Sequence, residues 1–76
     1  MNNQRRNQLR DIQQELRDIY SRLDSIYDEE QAAHDNTPES LRDSEQGEKA
    51  QNAIGTIETV RDQILEAADG IDEIFD

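Results

Sequence analysis

A row of carboxylates is the most chemically suggestive feature of this 76-residue sequence. Six acidic side chains near the carboxyl end follow one another at steps of three or four residues, the spacing that places side chains on one face of an α-helix. They are Glu58, Asp62, Glu66, Asp69, Glu73 and Asp76. On a helix, neighbours in this row stand roughly 5–6 Å apart, a spacing comparable with that of phosphates along a nucleic-acid strand. We call this row the acidic ridge.

The acidic ridge has two interpretations. It is either a solvated outer face that keeps a small protein soluble, or a surface that imitates a nucleic acid. In the second case it would occupy the basic, nucleic-acid-binding surface of a host protein and block it. Coulomb attraction would then speed association and make it sensitive to salt. Arg61 is the only base that the sequence places near the row.

Catalysis and metal binding find little support in the sequence. Cysteine is absent, which excludes a thiolate zinc site, and His34 is the only histidine. Carboxylate pairs at helical spacing, such as Glu58 and Asp62, need a pocket that shifts their pKa before they act as acid and base. The sequence therefore predicts a protein that is not an enzyme, with no cofactor and no metal.

Composition restricts the partners and raises the question of order. A net charge of −11 argues against direct binding to nucleic acid or to an anionic membrane, and no apolar run is long enough to span a bilayer. Leu, Ile, Val and Phe together number 15 of 76 residues, which borders on the composition of disordered chains.

The few apolar residues are concentrated in two heptad patterns, which predict two amphipathic helices. The first half has Leu at a positions and Ile at d positions. The second half has Ala or Ile at a and Ala, Val or Ile at d. We predict helices over about 4–33 and 48–75, joined by a linker over about 34–47 that holds Pro38. Thr37 is expected to cap a short helical turn that begins at Pro38.

The two patterns match best as an antiparallel hairpin in a single domain. Facing residue numbers then sum to about 80, and the chain reverses near residue 40. Charge favours the same arrangement, because the arginines of the first ten residues would lie beside the acids of residues 62–76.

Four residues widen the apolar stripe beyond what two helices can cover. They are Tyr20, Tyr27, Ile54 and Phe75. Because so short a chain has a small core, we expect two hairpins to dimerise into a four-helix bundle through these residues. The alternative is a loosely ordered monomer that folds only on its partner.

The linker resembles that of a group of small acidic proteins. The motif is Pro38-Glu39-Ser40-Leu41, then Ser44-Glu45 and Gly47-Glu48, followed by a helix rich in Ala, Ile and Glu. Such proteins are encoded by phages and prophages of Gram-positive bacteria. The resemblance implies a cytoplasmic setting in the host cell and an accessory phage role, including evasion of host defence, and it implies no chemistry.

The leading hypothesis is thus a phage inhibitor whose acidic ridge engages a host protein with a basic surface. An alternative is an oligomeric sponge for a signalling nucleotide, held by the linker region with Tyr27, Arg42 and Lys49. A purely structural coiled-coil component is the third possibility.

Overall fold

In a computed structural model, which describes residues 1–75, the chain forms two long helices and one short one. The helices are α1 (Asn3–Asp35), α2 (Glu39–Arg42) and α3 (Glu45–Phe75), and no strand occurs in residues 1–75. Helices α1 and α3 pack side by side in opposite directions, giving a rod with extents of 59 × 15 × 14 Å. The predicted all-α antiparallel hairpin is confirmed.

Side-chain caps make both long helices longer than the heptad patterns indicated. Helix α1 starts at Asn3 because the Asn2 side chain accepts a hydrogen bond of 2.8 Å from the Arg5 N–H. Helix α3 starts at Glu45 because the Ser44 hydroxyl accepts one of 3.2 Å from the Gly47 N–H. The expected linker over 34–47 therefore shortens to residues 36–44, with α2 inside it.

The turn region differs from expectation in the role of Thr37. Its hydroxyl donates a hydrogen bond of 2.9 Å to the Ala33 carbonyl, so it closes the end of α1. The expected side-chain cap on α2 is absent, and α2 forms through N–H groups of Leu41 and Arg42 that donate to the Pro38 carbonyl. A threonine that bonds back to the preceding turn is not free to cap the next helix.

Gly47 allows α2 to lie against the first turn of α3. A Cβ atom at this position would collide with the carbonyl oxygens of Leu41 and Arg42. Glycine weakens a helix interior by roughly 1 kcal/mol, but here it is the residue that permits close approach of two backbones.

The residues between α1 and α3 are not the ones predicted. The a positions are mostly half-buried, as expected, but the second row in the contact is e rather than d. Ile54 and Ala68, both at e, are only 6% and 0% exposed. Tyr20, Tyr27 and Phe75, also at e, are half-buried. We call this set of a and e positions the interhelix seam.

This seam contains the four residues expected at the oligomer interface. Tyr20, Tyr27, Ile54 and Phe75 were predicted to face a second hairpin, and the structure places them between α1 and α3. The d positions, predicted to lie between the helices, are exposed instead. Among them Ile12, Ile19 and Ile26 are 46%, 40% and 47% exposed.

The exposed d positions of both helices lie on one side of the hairpin. In each helix they are offset from the seam in the same rotational sense, at 100° per residue. Because the helices run in opposite directions, that common offset brings both rows to the same side. We call this surface the apolar face. Its members are Ile12, Ile19, Ile26, Ala53, Val60, Ala67 and Ile74.

Candidate interaction surfaces

The side of the hairpin opposite the apolar face is held by ion pairs between the helices. Arg61 of α3 contacts Asp24 of α1 at 3.0 Å. Arg17 of α1 approaches Asp69 at 3.9 Å and Asp72 at 3.5 Å on α3. We call this side the ion-paired face. The side chains in the Arg17 pairs are substantially exposed, so each of these pairs adds little stability alone. Together, the ion pairs of this face fix which rows of the two helices meet.

Arg61 is the most enclosed charge on this face, with a side chain only 15% exposed. Its guanidinium lies 4.8 Å from the centre of the Tyr27 ring and also contacts Asp62 at 3.0 Å. The hydrogen bond that Arg61 donates to the Asp62 carboxylate raises the pKa of Arg61. The neighbouring Glu58 carboxylate raises the pKa of the Tyr27 hydroxyl, and desolvation adds to the effect.

A buried glutamine also links the two helices. Gln13 is 4% exposed, and its amide donates hydrogen bonds of 2.8 Å to the Ala68 carbonyl and 2.7 Å to the Asp72 carboxylate. Such a bond requires close approach, which the small side chain of Ala68 permits. The heptad pattern did not indicate this role of Gln13, because a single glutamine within a polar helix does not interrupt the pattern.

The amino end of α1 meets the carboxyl end of α3, as charge complementarity suggested. Arg10, one of the arginines of the first ten residues, stacks over the Phe75 ring at 4.1 Å, and Arg17, further along α1, supplies the ion pairs to α3. The pairs Arg10–Phe75 and Asp24–Arg61 both have residue numbers that sum to 85, against the predicted 80. The observed sum exceeds the predicted one partly because side chains lean toward the amino end of their own helix. In an antiparallel pair, each side chain therefore contacts a residue slightly further along the partner helix.

The acidic ridge runs along the outer part of the ion-paired face. Its five members within residues 1–75 are all exposed, and Asp76 lies outside the described residues. Two of its carboxylates are engaged within the chain: Asp62 by Arg61, and Asp69 by Arg17. The expectation that Arg61 is the only nearby base was therefore wrong. Glu66 and Glu73 form no ion pair within residues 1–75.

The residues named for nucleotide binding do not converge on one pocket. Tyr27 is covered by Arg61, Lys49 pairs with Glu45 at 3.7 Å, and Arg42 lines a shallow depression beside Glu39. A second open depression of about 270 Å³ lies at the turn, lined partly by Ala33, His34 and Leu41.

Residues 1–75 hold no group of three or more His, Cys, Asp or Glu side chains arranged to bind a metal ion. None of the helices in this described part is long and apolar enough to cross a bilayer.

No family model, curated protein or solved structure matches this chain. Assignments of function therefore depend on its two unlike faces.

Proposed function

We propose that this chain is a non-enzymatic binding module whose acidic ridge blocks the basic surface of a nucleic-acid-binding protein. The proposal depends on one observation: Glu66 and Glu73 are exposed, and they lie in one row with the other exposed carboxylates of the acidic ridge. The rigid helix holds these carboxylates at a fixed spacing. A basic surface that binds a row of phosphates can bind a row of carboxylates with similar spacing.

The proposal gives the ridge a defined geometry. Between Glu58 and Glu73 the helix rises by roughly 22 Å, and the ridge side chains stay on one side of it. Arg17 and Arg61 compensate the inner edge of the ridge, where it meets α1. The outer edge, at Glu66 and Glu73, is the part that a basic partner would contact first.

The resemblance to small acidic phage proteins supports a more specific form of the proposal. The partner would be a host protein of a Gram-positive bacterium, met in the host cytoplasm, and the effect would be inhibition. Host nucleic-acid enzymes and defence proteins present the required basic grooves.

The test compares two triple variants with the same net charge. Asp62→Lys, Glu66→Lys and Glu73→Lys reverse the ridge, and Asp11→Lys, Asp18→Lys and Glu29→Lys reverse exposed acids of α1. Each set raises the charge from −11 to −5. Each immobilised chain is used to capture proteins from a Gram-positive lysate at low and high salt, and duplex DNA is added as competitor.

We expect the parent and the α1 variant to capture a nucleic-acid-binding protein that DNA displaces and high salt releases. The ridge variant should lose that capture while circular dichroism shows unchanged helicity. Equal capture by both triple variants would contradict the proposal and leave the solvated-face interpretation.

Nucleotide sequestration and a purely structural role predict different results. A sponge raises its melting temperature in the presence of one member of a panel of cyclic nucleotides, because the ligand binds only the folded state. An inhibitor of the proposed kind shows no such shift. A structural component shows neither a shift nor capture of a DNA-displaceable protein.

A further inference from the structure

We infer that the apolar face binds a second copy of this chain, with α1 against α1 and α3 against α3, each pair antiparallel. The product is a four-helix bundle whose two-fold axis passes beside Ile19. This inference is independent of the proposed function, because it concerns the opposite side of the hairpin.

The apolar face forms the central part of a dimer interface of ordinary size. It contains five of the chain's exposed large apolar side chains: Ile12, Ile19, Ile26, Val60 and Ile74, between 40% and 48% exposed. On α3 it runs from Ala53 to Ile74, a rise of roughly 32 Å, which is about half of the 59 Å length of the rod. The whole long side of the rod, including the polar residues beyond the apolar face, covers about 900 Å², and stable protein interfaces bury about 800 Å² per partner.

Charge identifies a second copy as the occupant. A chain with a net charge of −11 repels its own copies wherever its acids are exposed. From Leu9 to Ile26 and from Ala53 to Ile74, the a and d positions hold no charged residue. The ridge lies on the far side. An uncharged apolar face is self-complementary, as a two-fold interface must be.

The register follows from the symmetry of the d rows. On α1, a two-fold axis at Ile19 sets Ile19 against its copy and Ile12 against Ile26 of the second copy. On α3, an axis midway between Val60 and Ala67 sets Val60 of each copy against Ala67 of the other copy. A larger side chain then packs against a smaller one.

The axis position on α1 and the axis position on α3 lie at the same level along the hairpin. Contacts across the seam join residue numbers that sum to between 81 and 85 at Gln13–Ala68 and Asp24–Arg61. Ile19 therefore lies level with residues 62–66 of α3, which includes the midpoint between Val60 and Ala67. A single axis satisfies both helices, while the half-buried Leu16 and Ile64 point toward the bundle centre.

Charges at the edge of the face favour the same register. Glu15 and Arg22 flank the d row of α1 on the side away from the seam, and both are exposed. In the antiparallel arrangement, Glu15 of each copy lies opposite Arg22 of the other. Such flanking pairs set orientation in helical assemblies.

The first part of the test is the mass in solution. Sedimentation equilibrium, which does not depend on the rod shape, should give twice the chain mass of 8.8 kDa for the parent. Ile19→Glu with Val60→Glu should reduce it to the single-chain mass. Ser21→Glu with Thr59→Glu, the same charge change on exposed positions outside the face, should leave the dimer intact.

The second part fixes the register without depending on a destabilised variant. The chain has no cysteine, so Ile19→Cys places one thiol per chain at the inferred axis. Mild oxidation should give a covalent dimer, because the two thiols face each other. Gln14→Cys, exposed on the other side of α1, should stay uncross-linked.

A parent that sediments as a single chain would overturn the inference and leave the face for a different protein. A dimer that survives Ile19→Glu with Val60→Glu would also overturn it. A dimer without the Ile19→Cys cross-link would contradict the antiparallel register.

Discussion

The two sides of this hairpin use the same two helices in opposite ways. On the ion-paired face, Arg17 and Arg61 reach across the seam and satisfy acids of the other helix. On the apolar face, the isoleucines of α1 stand exposed beside Val60 and Ile74. The polar contacts orient the helices within the chain. Because they turn the e positions inward, they leave the d positions exposed.

Enlarging the seam should have the largest effect on the hairpin itself. Ala68→Leu adds a branched side chain where the existing one is 0% exposed and where Gln13 bonds the Ala68 carbonyl. We expect a loss of about 1–3 kcal/mol in the free energy of unfolding, measured by urea denaturation. Ala32→Leu, at an exposed position of α1, should change it by less than about 0.5 kcal/mol. Equal effects would mean that Ala68 is not at a close helix contact.

Removing the central cation of the ion-paired face should have an intermediate effect. Arg61→Ala deletes the stacking on Tyr27 and leaves Asp24 without its partner. We expect a larger loss in the free energy of unfolding than removal of an exposed surface ion pair causes, because the stacking and the ion pair are lost together. Lys49→Ala removes only an exposed pair with Glu45 and should cost less than about 0.5 kcal/mol. An Arg61→Ala protein as stable as the Lys49→Ala protein would show that the ion-paired face does not hold the helices.

The smallest expected effect is a dependence on alkaline pH. The neighbouring Glu58 carboxylate raises the pKa of Tyr27, so the folded chain holds that proton more tightly than the unfolded chain. The contribution of protonated Tyr27 to the free energy of unfolding is complete below about pH 10, and it is lost as pH rises through the pKa of Tyr27 in the folded chain. The melting temperature should therefore fall more steeply above pH 10 for the parent than for Tyr27→Phe. Identical slopes would contradict the contact.

The sequence was sufficient to predict the two helices and their antiparallel pairing, because heptad spacing and a single proline-containing turn leave few alternatives. It did not predict which rows meet. Two adjacent rows, d and e, are both apolar enough to flank the a positions, and periodicity alone does not separate them. The choice depends on Gln13 reaching the Ala68 carbonyl and on Arg61 and Arg10 stacking on aromatic rings. These are contacts between residues more than 30 positions apart, which no local pattern encodes.

The same reasoning applies to the candidate surfaces. The carboxylate spacing predicted the exposed members of the acidic ridge, since helical periodicity alone determines that row. It did not predict that Arg17 would reach Asp69, because that contact requires the observed rotation of α1 against α3. The same rotation places Tyr20, Tyr27, Ile54 and Phe75 in the interhelix seam and leaves the d rows exposed.

The salt dependence of self-association tests the contrast between the two faces most directly. Sedimentation equilibrium of the unmodified chain is measured in dilute buffer and in buffer with added sodium chloride. We predict twice the 8.8 kDa chain mass in both buffers, with tighter association at high salt, because salt screens the repulsion between copies and leaves apolar contact intact. A single-chain mass in both buffers, or a dimer that dissociates as salt is added, would contradict the account.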